Sequence, residues 1–166
     1  MSQKKKYFIL VLFGIVLGIF LKIFIVDISK VSGTSMEPSI KNNSTVIINK
    51  LAYGLCVPLG NSLFFSWTEP KKNDIVLYIY NGKPVIKRVL ATENDSLEFS
   101  IANGYSLIVG ENTIPLTEGQ YQRLKYSSQV PLGSVLCIGD NYEESVDSRD
   151  YGFVLVNSIL GKVLCK

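Results

Sequence analysis

Apolar residues follow two regimes along this chain. From residue 7 to residue 26 they run almost unbroken, as YFILVLFGIVLGIFLKIFIV. Further on they come in short runs, often alternating with polar positions and separated by Gly, Pro and Asn. The first regime predicts a membrane helix. At helical rise its length comes to about 30 Å, one hydrocarbon core thick. Lys22 interrupts it near one end, where a long stem carries the amine to the interface. Lys4, Lys5 and Lys6 precede it and favour a cytoplasmic N-terminus, with the rest of the chain on the outer face of the plasma membrane. A cleavable signal peptide has the same basic start. Here the stretch is long, and Phe24, Ile25, Val26 and Asp27 offer no small-x-small cleavage site, so the segment reads as a retained single-pass anchor.

The second regime predicts strands, with no long 3.6-residue period. Candidates are 45–49, 74–80, 84–91, 97–102, 105–109, 135–138, 153–156 and 160–164. Asn81-Gly82, between two apolar runs, is a hairpin signal, and Asn103-Gly104 is a second. The expected fold is mostly β: an antiparallel, barrel-like fold after the helix, with a small inserted β subdomain. The expected organisation is a cytoplasmic 1–6, an anchor 7–26 and an outer domain 27–166, of which 92–130 forms the smaller subdomain. Residues 54–72, with Pro58, Gly60 and Pro70, read as a loop folded over the core. The alternative is an apolar lip, Leu63-Phe64-Phe65-Ser66-Trp67, touching the bilayer.

Composition narrows the chemistry. The 166 residues carry a net charge of +3 and are 47% hydrophobic, which excludes disorder. The basic excess is partly gathered at Lys4, Lys5 and Lys6, not along a stripe, so nucleic acid is excluded as a partner. Cys56, Cys137 and Cys165 lack metal-ligand spacing and have no histidine to help them, so no metal is expected. They read as unpaired thiols, with Cys56–Cys137 or Cys137–Cys165 disulfides as the alternatives.

The chain has no histidine. A serine nucleophile therefore needs another base. Ser35, in Ser35-Met36-Glu37-Pro38, follows the anchor closely. Lys87 lies in a candidate strand, where the Asn81-Gly82 turn pairs Val76 with Lys87 and puts Val85 and Val89 on the same face. A free lysine has a pKa of about 10.4, so it becomes a base near neutral pH only when apolar neighbours dry its amine. Arg88 does not deprotonate and cannot serve. Ile86 and Leu90 make the opposite face apolar as well, so alternation alone leaves the inward residue open.

These residues resemble the boxes of type I signal peptidases. Ser32-Gly33-Thr34-Ser35-Met36-Glu37-Pro38-Ser39 is similar to the nucleophile box, Asn73-Asp74-Ile75-Val76 to a strand box, and Lys87-Arg88-Val89 to the box of the catalytic lysine. Residues 139–152, GDNYEESVDSRDYG, closely resemble the last box. The resemblance implies a Ser35–Lys87 dyad working through an acyl-enzyme without a cofactor. It implies that Ser145 orients the Lys87 amine, that Asp147 and Arg149 hold that loop as an ion pair, and that Asp140 pairs with Arg88. The Ser35 N–H is the natural oxyanion donor. Some members add a serine hydroxyl where this chain has Gly33, which leaves the second donor to Thr34 or Ser32, or unassigned. Ser39 stands for the usual threonine, and Ala91-Thr92-Glu93-Asn94-Asp95 for a Gly-x-Pro-Gly-Asp turn. The implied substrates are exported preproteins with small residues before the cut. Met36 is expected in the pocket nearest the cut, together with Ile86. A non-catalytic assembly protein for exported subunits is the rival. A self-cleaving repressor-type peptidase is disfavoured by the anchor and by the lack of a DNA-binding module.

Overall fold

The computed structural model describes residues 3–57, 60–102 and 104–164. Asn103 of the second turn signal and Cys165 of the disulfide alternatives lie outside them. The apolar stretch forms helix α1 (Gln3–Phe24), which is long and apolar enough to cross a membrane and buries none of its residues. It ends before the predicted limit. Val26 already belongs to β1 (Val26–Lys30), whose alternating pattern had merged with the apolar run.

The main sheet has seven strands in the order β1-β2-β12-β5-β6-β10-β11. Here β2 is Thr45–Asn49, β5 Ile75–Tyr80, β6 Lys83–Ala91, β10 Ser134–Ile138, β11 Val154–Leu155 and β12 Ile159–Val163. A two-stranded hairpin pairs β3 (Gly54–Cys56) with β4 (Leu63–Ser66). A three-stranded sheet holds β7 (Glu98–Ser100), β8 (Ser106–Val109) and β9 (Asn112–Pro115). Two short helices complete the fold, α2 (Glu118–Leu124) and α3 (Ser148–Tyr151).

The expectation of a mostly β, barrel-like fold is corrected here. The architecture mixes helices with several antiparallel sheets, and no sheet closes among the described residues. The main sheet ends on β1 at one side and on the two-residue β11 at the other, and these strands do not pair. Closing a barrel needs a continuous ladder and a shared stagger. Here β1 is committed to the exit of α1, and β11 is too short to offer a ladder. Residues 54–72 are likewise not all loop, because Gly54–Cys56 and Leu63–Ser66 pair as a hairpin, and Phe64, Phe65 and Trp67 are exposed.

Three clusters position the site. One face of the β5–β6 pair buries Val76, Tyr78 and Val89 against Val135, Cys137 and Ile159. Another cluster gathers Val31, Met36 and Ile40 against Val46, Ile48 and Val163, with Ile86 packed beside it. Each such side chain contributes about 1.5–3 kcal/mol by leaving water. Met36 and Ile40 thereby pin the loop that carries Ser35. The third cluster joins Leu107 and Ile114 of the small sheet to Ala91 and Leu136.

Candidate active site

Two different local devices bring Ser35 and Lys87 together. Lys87 sits on β6, and the two-residue Asn81-Gly82 turn sets its register. Both turn residues have positive φ, 49° and 72°, as a twisted hairpin requires. The ladder pairs Tyr80 with Lys83 and Val76 with Lys87. Lys87 is 3% exposed and Val89 is buried, so the face of Val85, Lys87 and Val89 is the inward one that alternation had left open. Burial holds the Lys87 pKa below the ordinary lysine value. The charge of Asp147 pulls it back up, and that of Arg149 presses it further down.

Ser35 lies in an irregular loop that other residues brace. The Gly33 N–H donates to Asn42 Oδ1 at 3.1 Å, and the Asn42 N–H to Glu37 Oε1 at 3.0 Å. Gly33 has φ 106°, a conformation that disfavours any residue carrying a Cβ. The Asn141 N–H donates to the Ser35 carbonyl at 3.1 Å, and its side-chain amide to the Thr34 carbonyl at 3.3 Å. Among the described hydrogen bonds, the Ser35 N–H donates to none, which leaves it available to an incoming oxygen.

A cleft of about 560 Å³ is lined by Ser35, Met36, Ile86 and Lys87, with Ser32 at its wall. Every residue from 83 to 87 lines it. The reason lies in the sheet. Strand β10 pairs with β6 only from Arg88 onward, so residues 83–87 form an open edge. No described hydrogen bond links the Ser35 hydroxyl with the Lys87 amine. Catalytic hydrogen bonds are often long without substrate and tighten only in the complex.

Behind the cleft lies a buried charge network. Asp147 is fully buried and accepts five hydrogen bonds, from the Gly139 N–H, the Ser145 hydroxyl (2.6 Å), and the backbone and guanidinium of Arg149. Arg149, also buried, donates further to the carbonyls of Tyr142, Ser145 and Pro115. The pair therefore satisfies its own charges. Ser145 is buried and its proton goes to Asp147, which leaves its lone pairs to accept from an amine. Arg88 makes a two-pronged bond to Asp140 at 2.7 and 2.6 Å and reaches Ser39 Oγ and the Asn73 carbonyl.

Sequence reading gave no role to Gly139, Asn141 or Ser148. Ser148 Oγ accepts from the Cys137 N–H at 3.0 Å and ties α3 to β10. Gly139 packs so closely that an added Cβ would lie 2.2 Å from Ser145 Oγ and 2.5 Å from the Ser35 carbonyl. All three stand in the box that had drawn attention to its charged members, and the glycine and amide beside them were the available signal. Thr34 is not among the cleft-lining residues. Cys56 and Cys137 are unpaired thiols, both pushed up in pKa by burial.

The family profile described as "Signal peptidase, peptidase S26" matches residues 4–166. Signal peptidase I of Bacillus caldolyticus is 28% identical over 160 residues, covering 86% of this chain and 80% of that one. Mitochondrial inner membrane protease subunit 1 of Homo sapiens is 30% identical over 139 residues, covering 81% of this chain and 65% of that one. A crystal structure of a signal peptidase I from Enterococcus faecalis is similar with a TM-score of 0.42 and 25% identity, over 58% of this chain and 98% of that one. The chain belongs to the signal peptidase family.

Proposed function

We propose that this chain is a membrane-anchored serine endopeptidase that removes signal peptides from exported preproteins, with Ser35 as nucleophile and Lys87 as general base. One observation carries the reading: a serine in a braced loop and a lysine dried by its strand line the same cleft. In this mechanism the neutral Lys87 amine takes the Ser35 proton while Oγ attacks the scissile carbonyl. The Ser35 N–H meets the developing oxyanion, and Ser32, which lines the cleft as Thr34 does not, supplies the second donor. The Lys87 ammonium then gives its proton to the departing amine of the mature chain, leaving the signal peptide esterified to Ser35. Lys87 next draws a proton from water, which hydrolyses that ester. Ser145 orients the Lys87 amine, with Asp147 fixing Ser145. Asp140 with Arg88, and Asp147 with Arg149, support the loops.

The open edge of β6 suits an extended substrate. Residues 83, 85, 87 and 89 bond toward β5, as the 2.9 Å bond from the Val89 N–H to the Asp74 carbonyl illustrates. The peptide groups of residues 84 and 86 then point outward. An added strand finds Ile86 and Met36 along its path, apolar walls suited to small side chains. In this reading α1 crosses the plasma membrane with its N-terminus cytoplasmic. Residues 27–166 work on the outer face, and 92–130 form the smaller unit around β7, β8 and β9.

The test is to incubate the purified full chain with a preprotein in lipid and to sequence the new N-terminus. Ser35→Ala and Lys87→Ala should each lower turnover by about 1000-fold or more while the fold survives. Full activity in either variant sinks the dyad. Binding without product at any concentration of the chain would mean an assembly protein instead.

A further inference from the structure

We propose that Lys30 and Lys83 read a carboxylate at the far end of the cleft and so select preproteins with Asp or Glu four residues before the cut. The proposal rests on the endopeptidase reading above and names a substrate preference for the same cleft.

The placement of charge is the first observation. Among the described residues, the charged ones that line the cleft are Lys30, Lys83, Lys87 and Glu144. Lys87 and Glu144 belong to the catalytic end, since Glu144 directly precedes Ser145. Lys83 begins β6, which sets it about 13 Å from Lys87 along the strand. Lys30 ends β1, on the chain segment that leads to Ser35. Both lysines are exposed, and neither takes part in a described ion pair. Lys72 and Lys162, elsewhere on the molecule, each meet an aspartate. Two cations on the walls of one groove repel each other, and a carboxylate laid between them turns repulsion into attraction.

Face is the second observation. Val31 is buried in the cluster of Met36 and Ile40, and Ile86 packs against it. Side chains an odd number of positions apart in a strand point to opposite faces. Lys30, one residue before Val31, and Lys83, three before Ile86, therefore both turn away from that cluster.

Register then decides which substrate residue they meet. The cut lies at the Lys87 end of the open edge, so the residues before it run back toward Lys83. With the residue before the cut level with Ile86, the second, third and fourth fall level with Val85, Pro84 and Lys83. The first and third face Met36 and Ile86. The second and fourth face the other way, where the fourth comes between Lys83 and Lys30. A strand lies about 4.8 Å from its neighbour, within reach of a lysine stem. Glu144, at the other end of the cleft, repels a carboxylate least at this position.

The full chain is purified in a nonionic detergent and given water-soluble peptides that differ only in the fourth residue before the cut, as Asp, Asn or Lys. At low salt the Asp peptide should show a kcat/KM about fivefold above that of the Asn peptide, and the Lys peptide about fivefold below it, with the difference carried by KM. Sodium chloride at about 1 M should level the three. An Asp moved to the second position, toward Glu144, should bring no gain. A variant with Lys30→Glu and Lys83→Glu should invert the order and favour the Lys peptide, which a mere loss of packing does not produce. Asp and Asn peptides cut alike by the parent at low salt overturn the proposal. So does an Asp preference that persists at high salt or in the double variant. A parent chain that cuts none of the peptides overturns the endopeptidase reading and this one with it.

Discussion

At the residue scale, Lys87 would set the pH behaviour of turnover if it is the base proposed above. Its amine must be neutral to take a proton, and burial lowers its pKa. Activity should therefore fall about tenfold per pH unit below that lowered value, a limb read from kcat/KM against pH. The stability effect has a definite sign. Between the lowered value and the unfolded value of about 10.4, the folded chain binds fewer protons than the unfolded chain. This contribution to stability is present above the unfolded value and lost as pH falls through the folded one. Lys87→Met removes the buried amine, so it should abolish turnover yet stabilise the fold by about 1 kcal/mol, measured by denaturant titration. Gly139→Ala is the complementary case. Its Cβ would strike Ser145 Oγ and the Ser35 carbonyl, shifting both. Cleavage should drop about a hundredfold, with secondary structure retained in circular dichroism.

At the scale of elements, the box around α3 acts as a keystone. The Asp147 side chain caps the helix and carries the buried Arg149 charge. Asp147→Asn leaves that cation short of its partner and should cost about 3–5 kcal/mol in urea titration, more than any exposed ion pair in the fold. The elements that sequence read well share one trait: their own residues specify them. Asn81-Gly82 fixes the register of β5 and β6 because its backbone accepts positive φ, and β2 lies where 45–49 was expected. The elements it missed depend on distant partners or on short signals. Strand β1 follows α1 without a polar break. Strands β3 and β4 had been dissolved into a loop by their flanking prolines. Helix α2 is only seven residues long, although Thr117 and Gln120 form a capping box visible in the chain. In the site, Ser35, Lys87 and the charged members of the last box were legible as residue types. The clamp of Asn141 on the Ser35 loop was not, because it joins main-chain atoms far apart in sequence.

At the scale of the whole molecule, the open sheet matters. The edge near α1 leaves Ile28, Ile47 and Leu164 exposed side by side. A chain beginning after α1 should therefore still co-sediment with vesicles, and its complete recovery in the aqueous fraction would contradict this.

The edge of β6 has a last consequence. Pro84 falls at one of the outward-pointing positions and has no amide hydrogen to give. A visiting strand can thus draw a main-chain donor from Ile86 but none from the position before it. Ladder growth stops within a few residues, which deters stray sheets from stacking there and leaves a guest chain little room to slip. In the proposed reaction, the ruler that decides where the cut falls would be short because one ring nitrogen carries no proton.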